Sequence, residues 1–198
     1  MTSLIAAMVR TWDLVRDRYA AYDLVLPSTP RFICQAAECS AHCCKVFTVA
    51  LNESEAERMV RESGLPRSAF LETEDGEPIV LPLADPYVLK RGPGCCALLG
   101  DDLLCSQYEG RPDACRLYPH QVLFVDTESG RPVGPDPEAF RQVIGGAAEN
   151  PMPLLLRHLE CPGFTGEPLG DDAWYGLLEE TYRLQYHDRE PFHWPARR

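Results

Sequence analysis

The chain has 198 residues, of which 45% are hydrophobic and 25% are charged, a composition typical of one globular domain. Its formal net charge of −11 repels phosphate backbones and anionic lipid, which argues against nucleic acid and membrane surfaces as partners. The N-terminal segment lacks the basic region and long apolar run of a secretion signal, so the sequence predicts a cytoplasmic protein.

The first two predicted elements are helices. Apolar residues recur every three or four positions near the N-terminus, which predicts an amphipathic helix over about 3–22. Asn52, followed three positions later by Glu55, matches a capping box, and Gly64 supplies a C-terminal stop, so a second helix is predicted between Asn52 and Gly64. The charged residues of this helix are predicted to face solvent, namely Glu53, Glu57, Arg58 and Arg61.

The rest of the chain predicts short elements. In chain order they are an acidic loop at 72–77, strands at 79–83 and 87–90, a hairpin of 121–126 with 131–133, and helices at about 137–148 and 171–186. The 18 prolines disfavour long regular elements, and no internal repeat or composition shift marks a boundary. We therefore expect a single α+β domain over 1–198, small and irregular, with its elements organised around a cysteine-ligated metal centre.

The nine cysteines are the most informative feature of the sequence. Four of them lie between Cys34 and Cys44 with the spacing C-x4-C-x3-C-C. Clustered thiols in loops suit metal chelation, because a loop backbone can direct several sulfurs to one point. In a reducing cytoplasm, such cysteines are expected to be metal ligands or redox groups rather than structural disulfides.

The later cysteines occur in a distinctive motif. The chain reads Arg111-Pro-Asp-Ala-Cys115-Arg-Leu-Tyr-Pro119, and further on Cys161-Pro-Gly163. This pattern resembles the cysteine-cluster family described as zinc- or iron-chelating domains, in which C-x2-C-x2-C-C is followed by C-x-x-L, C-x-x-Y-x-x-R-P-x-x-C-R-x-Y-P and a late C-P-G. The first group departs from that family, since its gaps are four and three residues rather than two and two.

The resemblance implies a ligand set and a metal. Eight cysteines take the family positions, namely Cys34, Cys39, Cys43, Cys44, Cys96, Cys105, Cys115 and Cys161, and Cys95 is the additional one. Relatives of the family that methylate lysines of flagellin are associated with iron–sulfur clusters. The resemblance therefore favours an iron–sulfur cluster over zinc as the cofactor.

Eight thiolates can be divided between two sites, since zinc and a cubane cluster each accept four cysteines. A dinuclear arrangement with shared thiolates is the alternative. The side chains of Cys43 and Cys44 diverge because the residues are adjacent, so we expect them to serve different metals or different edges of one cluster.

Other side chains are candidates for supporting roles. Arg111 and Arg116 are predicted to neutralise and hydrogen-bond the negative sulfur site. His42 lies next to Cys43, and His158 lies three residues before Cys161, so either imidazole could replace a thiolate. Tyr108 and Tyr118 are expected to shield the site.

The sequence leaves the cellular role open. The first hypothesis is a cysteine-cluster metal-binding protein, whose partner is the metal ion or cluster itself. The second is a metal-dependent enzyme that modifies a protein or peptide, with an activity resembling methyl transfer. The third is a thiol-redox protein, which paired sulfurs near about 2 Å would favour.

Overall fold

The computed structural model of the protein describes residues 2–36 and 38–186. The chain folds into two compact units. The first, which we call the sheet unit, comprises Met1–Arg31, Pro119–Leu159 and Glu167–Arg198. The second, the cysteine unit, comprises Phe32–Tyr118 and Glu160–Gly166.

The described residues contain helices together with small sheets, so the predicted α+β class is confirmed at that level. The helices are α1 (Thr2–Asp13), α2 (His42–Val46), α3 (Glu53–Ser63), α4 (Arg67–Phe70), α5 (Asp113–Leu117), α6 (Pro137–Ile144) and α7 (Asp171–Tyr186). The strands are β1 (Tyr22–Leu24), β2 (Pro30–Phe32), β3 (Ala50–Leu51), β4 (Thr73–Glu74), β5 (Glu77–Pro78), β6 (Tyr87–Val88), β7 (Arg91–Gly92), β8 (Cys95–Cys96), β9 (His120–Val125), β10 (Pro132–Val133), β11 (Met152–His158) and β12 (Phe164–Pro168). None of the helices within 2–36 and 38–186 has the length and apolar character that crossing a bilayer would require.

The sheet unit is built on one antiparallel sheet with the strand order β1-β11-β9-β10. Strand β11 lies in the interior of the sheet, with Leu156 opposite Leu24 of β1 and Leu154 opposite Leu123 of β9. The apolar run of β11 is buried because neighbouring strands cover its edges and helices cover a face. This strand therefore organises the unit.

Helices α1, α6 and α7 pack against this sheet. Trp174 of α7 is fully buried, and its indole Nε1 donates to Val25 O at 2.8 Å. The ring of Phe140 in α6 stacks on that of Tyr182 in α7, with centroids 4.0 Å apart. Among the described residues, such contacts form a continuous apolar core of 18 buried residues.

The predicted N-terminal helix over about 3–22 is wrong beyond Asp13, where α1 ends. The chain continues through a short 3-10 turn at Arg16–Arg18 and then enters β1. Trp12 and Val15 are both buried, so the apolar spacing extends past the helix although the backbone has already turned. Pairing of Tyr22 with His158 across the sheet explains the extended backbone there.

Helix α3 of the cysteine unit begins and ends as the sequence predicts. The side chain of Asn52 accepts from Glu55 N, and the Glu55 carboxylate accepts from Asn52 N at 2.9 Å, which completes the capping box. Gly64 closes the helix with φ of 69°. Ala56 and Met59 belong to a small cluster of seven buried apolar residues, which is the hydrophobic core of this unit among the described residues.

The segment from Glu72 to Leu83 differs from its prediction. The sequence predicts a loop over residues 72–77. In the structure, β4 and β5 instead pair as an antiparallel hairpin with a two-residue turn. Asp75 and Gly76 occupy its turn with φ of 51° and 88°, the left-handed conformation that Asp-Gly turns favour. The strand predicted at 79–83 is wrong, since those residues lie outside the regular elements.

Candidate metal centre

All nine cysteines lie in the cysteine unit, and all nine are free thiols. Eight of them lie between Cys34 and Cys115, within the long segment of this unit. Cys161 comes from the short segment Glu160–Gly166, which returns to the unit from a distant part of the chain. The fold therefore gathers the eight predicted ligands in one compact region.

One group of thiols is assembled by loops, and we call Cys34, Cys39, Cys43 and Cys161 the loop set. Ile33 N donates to Gly163 O at 2.7 Å, which brings the chain around Cys34 beside the Cys161 segment. Cys39 N donates to Gln35 O at 2.8 Å, closing a turn that returns Cys39 toward Cys34. Burial raises the pKa of Cys161, and the charges of Cys39, Cys34 and Cys43 raise it further.

Gly163 allows this close approach. A Cβ at Gly163 would lie 2.6 Å from Phe32 Cε2 and 2.7 Å from Ile33 O, inside any tolerable contact. The second of these atoms belongs to the backbone, so it cannot move without displacing the chain that leads to Cys34. The glycine of the Cys161-Pro-Gly motif is therefore a packing requirement of the loop set.

Helix α2 carries two adjacent thiols. Its first turn is set by Ala41, which has φ of 57° and whose carbonyl accepts from Cys44 N and Lys45 N, both at 3.0 Å. Cys43 Sγ and Cys44 Sγ are 3.9 Å apart. The hydrogen bond between these thiols lowers the pKa of Cys43 and raises that of Cys44, because the proton is held on Cys44.

A second group of thiols lies against the apolar core of the unit, and we call Cys44, Cys96, Cys105 and Cys115 the core set. Cys96, Cys105 and Cys115 pack on the seven-residue hydrophobic cluster. They come from β8, from a β-bridge between Cys105 and Leu99, and from α5. Helix α2 packs against β8, and the charges of Cys96 and Cys105 contribute to the raised pKa of Cys44.

The two sets meet at α2. Burial raises the pKa of Cys115 to about 12, with further contributions from Cys96, Cys105 and Cys43. Cys43 therefore interacts with members of both sets, and its sulfur lies beside that of Cys44. The sulfurs of these adjacent cysteines lie against each other rather than diverging, and their assignment to different metals stays a prediction.

Arg111 lies close to thiols of both sets. Burial raises the pKa of Cys34, Cys105 and Cys115, and the charge of Arg111 offsets part of that rise. The hydrogen bond with Cys44 lowers the pKa of Cys43, and Arg111 contributes to the lowering. The guanidinium lies over the Tyr108 ring at 3.5 Å, and Nε donates to Tyr108 O at 2.7 Å. Arg116, the other predicted arginine, has Nη1 3.7 Å from Asp113 Oδ1.

The histidines have aromatic neighbours. The ring of His42 lies 5.8 Å from that of Phe47 and 6.5 Å from that of Tyr118. His158 belongs to β11 of the sheet unit, where its ring meets that of Tyr22 edge-on at 5.0 Å. Burial raises the pKa of the Tyr118 hydroxyl, and the charges of Cys161, Cys43 and Cys39 add to this rise. The shielding role of Tyr118 stays a prediction.

Helix α3 supports α5 through side chains whose role has no local signal in the sequence. Glu55 Oε1 accepts from Asp113 N at 2.6 Å, and Arg58 Nη2 donates to Asp113 Oδ1 at 2.6 Å and to Arg111 O at 3.0 Å. The expectation that Arg58 faces solvent is therefore wrong. These bonds fix the start of the helix that carries Cys115. They join residues that lie far apart in the sequence, so local sequence patterns could not predict them.

The donor set fits zinc or an iron–sulfur cluster, because both are held by four cysteine thiolates. Within 2–36 and 38–186, however, no three His, Cys, Asp or Glu side chains are arranged so that they could hold a metal ion as they stand. Five thiols of the centre also carry pKa values raised chiefly by burial, and so favour the protonated form: Cys34, Cys96, Cys105, Cys115 and Cys161. The thiols are thus gathered, and closing around a metal requires deprotonation and movement of side chains.

Comparison with known protein families gives a match over the cysteine-rich part of the chain. The family model CxxCxxCC, described as "Putative zinc- or iron-chelating domain", matches residues 33–138, which is more than half of the chain. No curated protein gives a significant match, and no solved structure does. The matched segment includes every cysteine except Cys161, together with α2, α3 and α5. The chain therefore belongs to this family of cysteine-rich, zinc- or iron-chelating domains.

Proposed function

We propose that the protein binds metal through eight cysteine thiolates arranged as two four-thiolate sites that meet at α2. The loop set, Cys34, Cys39, Cys43 and Cys161, forms one site, and the core set, Cys44, Cys96, Cys105 and Cys115, forms the other. The observation that carries the proposal is the gathering of all eight family cysteines, including the distant Cys161, in one compact unit.

We propose iron–sulfur clusters in preference to zinc, as the resemblance to the flagellin lysine methylases implies. When bound, an iron–sulfur cluster supplies a site for electron transfer or for binding a substrate at iron. Two four-thiolate sites of either kind carry a net charge of about −2 each, so nearby positive charge is favourable. Arg111 lies near both sets and supplies it, and Arg116 is proposed to assist from its position after Cys115.

The proposal includes a reducing compartment, the cytoplasm, because thiolate ligands must stay reduced to bind metal. Metal or cluster is the primary partner, and a protein or peptide is a further candidate partner. The net charge of −11 remains the argument against nucleic acid and anionic membrane as partners.

Anaerobic purification followed by metal and acid-labile sulfide analysis tests the proposal. We expect iron and sulfide in equal amounts, with the absorption of a thiolate-ligated cluster. Zinc without sulfide would keep the two thiolate sites and overturn the preference for iron. A chain purified anaerobically without any bound metal, and unable to take up zinc or iron on reconstitution, would refute the proposed function.

A further inference from the structure

The C-terminal end of α2 is held by one side chain from another element. Arg91 lies in β7, and its guanidinium donates to Lys45 O at 2.6 Å through Nη2 and to Phe47 O through Nη1. The last carbonyls of an α-helix have no partner within the helix. Arg91 therefore satisfies acceptors at the end of the helix that carries Cys43 and Cys44.

The backbone of Arg91 is fixed relative to Cys96. The two residues face each other in the antiparallel pair β7–β8, and Ala97 N donates to Lys90 O at 2.9 Å beyond them. On the other side, Arg91 N donates to Glu72 Oε1 at 2.8 Å. The guanidinium thus reaches α2 from a backbone whose position beside Cys96 is already determined.

We propose that Arg91 is a positioning residue for the metal centre, because it ties Lys45 and Phe47 of the α2 segment to the β7–β8 hairpin and so sets the separation of Cys44 from Cys96. The inference rests on the proposed function and assigns to that function a residue that holds ligands in place.

Two features make α2 dependent on this contact. The helix has only five residues, too few to be stable without tertiary contacts. It also joins the two thiol sets, since Cys43 belongs to one and Cys44 to the other. Removing the guanidinium frees α2 to move from β8, which carries Cys96. The loop set has its own connection through Ile33 and Gly163, so the core set is expected to suffer first.

An arginine suits this position better than a lysine. Its planar guanidinium presents several N–H groups in a fixed geometry, so one side chain can donate to two carbonyls at once. A lysine keeps the positive charge but holds it at one rotatable ammonium. We therefore expect Arg91→Lys to fall between the wild type and Arg91→Ala.

The test compares anaerobically purified wild type with Arg91→Ala, Arg91→Lys and Arg67→Ala. Arg67 is a matched control, because it is also a half-buried arginine of this unit and donates to Glu53 and to the Tyr87 hydroxyl. The readouts are metal per chain and the rate of metal release to a chromogenic chelator. For Arg91→Ala we expect loss of about half of the metal, or release of that half about 10–100-fold faster, and wild-type behaviour for Arg67→Ala.

The outcomes separate the inference from the proposed function. Wild-type metal content and release in Arg91→Ala would overturn the positioning role, as would equal acceleration of release from both sites, which indicates general destabilisation. If Arg91→Ala fails to fold, Arg91→Lys decides by the same readouts, and release identical to the wild type overturns the inference. A wild type that holds no metal and takes up neither zinc nor iron on reconstitution would refute the proposed function instead.

Discussion

The sheet unit and the cysteine unit are held together in different ways. In the sheet unit, 18 buried apolar residues from the sheet and its helices form one core. In the cysteine unit, the described residues form a core of only seven, and several of its strands are two residues long. We therefore expect the second unit to depend much more on what its thiols bind.

This difference agrees with the physics of small folds. Hydrophobic stabilisation scales with the apolar area removed from water, and a small core leaves little to offset the loss of conformational entropy. Small units commonly add metals or disulfides for this reason. All nine thiols of this chain lie in the unit with the smaller core, and none is in a disulfide. Metal binding is thus expected to be part of folding for the cysteine unit only.

Damage to the sheet core should leave the metal centre intact. Phe140 is fully buried and stacks on Tyr182, so Phe140→Ala removes a large side chain from a packed site. We expect a loss of about 3–5 kcal/mol in the free energy of unfolding, measured by urea denaturation, with unchanged metal content in the folded protein. Val133→Ala, at a position 42% exposed, is the control and should cost less than about 0.5 kcal/mol. Metal loss in Phe140→Ala would contradict the expectation that the metal centre is independent of the sheet core.

Replacement of one ligand cysteine in the cysteine unit should lower the metal content of the protein. Cys96 packs on the hydrophobic cluster, and successive residues of a strand point to opposite faces, so Cys95 points away from it. We expect Cys96→Ser to lose about half of the metal and Cys95→Ser to keep all of it. Elemental analysis of the two variants checks this, and the reverse pattern would show that Cys95 is the ligand.

A smaller effect is expected at the glycine of the loop set. Gly163→Ala places a Cβ against the Ile33 carbonyl and should push the Cys34 and Cys161 segments apart. Such overpacking typically costs about 1–3 kcal/mol, and we expect faster metal release from one site of the two. Gly134→Ala is the matched control, because a Cβ there has no neighbour within 4 Å. Equal release rates in the two variants would count against the role of Gly163.

The smallest predicted effect concerns pH. Burial raises the pKa of Cys115 to about 12 from its usual 9.0, so at neutral pH the metal-free thiol is protonated. Metal must displace that proton, and affinity should therefore rise with pH, by about tenfold per pH unit for each proton released. Chelator competition at several pH values measures the slope. In Cys115→Ser the slope should be shallower by one proton, and an unchanged slope would mean that Cys115 is not bound as a thiolate.

Local patterns were predicted well from the sequence because their causes are local. The capping box of Asn52 and Glu55 and the stop at Gly64 involve neighbours along the chain, and α3 has the predicted bounds. The hairpin of β9 and β10 was predicted for the same reason. Strand β11 was missed, although its apolar run is visible, because its identity depends on pairing with distant strands β1 and β9.

In the candidate site, too, local features could be predicted from the sequence and contacts between distant segments could not. Cysteine spacing drew attention to the group between Cys34 and Cys44, and the resemblance to the family supplied the full set of eight candidate thiols. Their grouping could not be predicted, because Cys161 joins Cys34 through a backbone hydrogen bond between Ile33 and Gly163. Arg58 and Arg91 were missed because their acceptors are groups more than forty residues away in the sequence.

Amide hydrogen exchange with and without metal tests the central claim most directly. The purified protein would be compared with the same sample after anaerobic chelation, with every peptide assigned to one unit or the other. We predict that chelation abolishes protection in Phe32–Tyr118 and Glu160–Gly166 while β9, β11 and α7 keep theirs. Unchanged protection of the cysteine unit after complete metal removal would contradict the account.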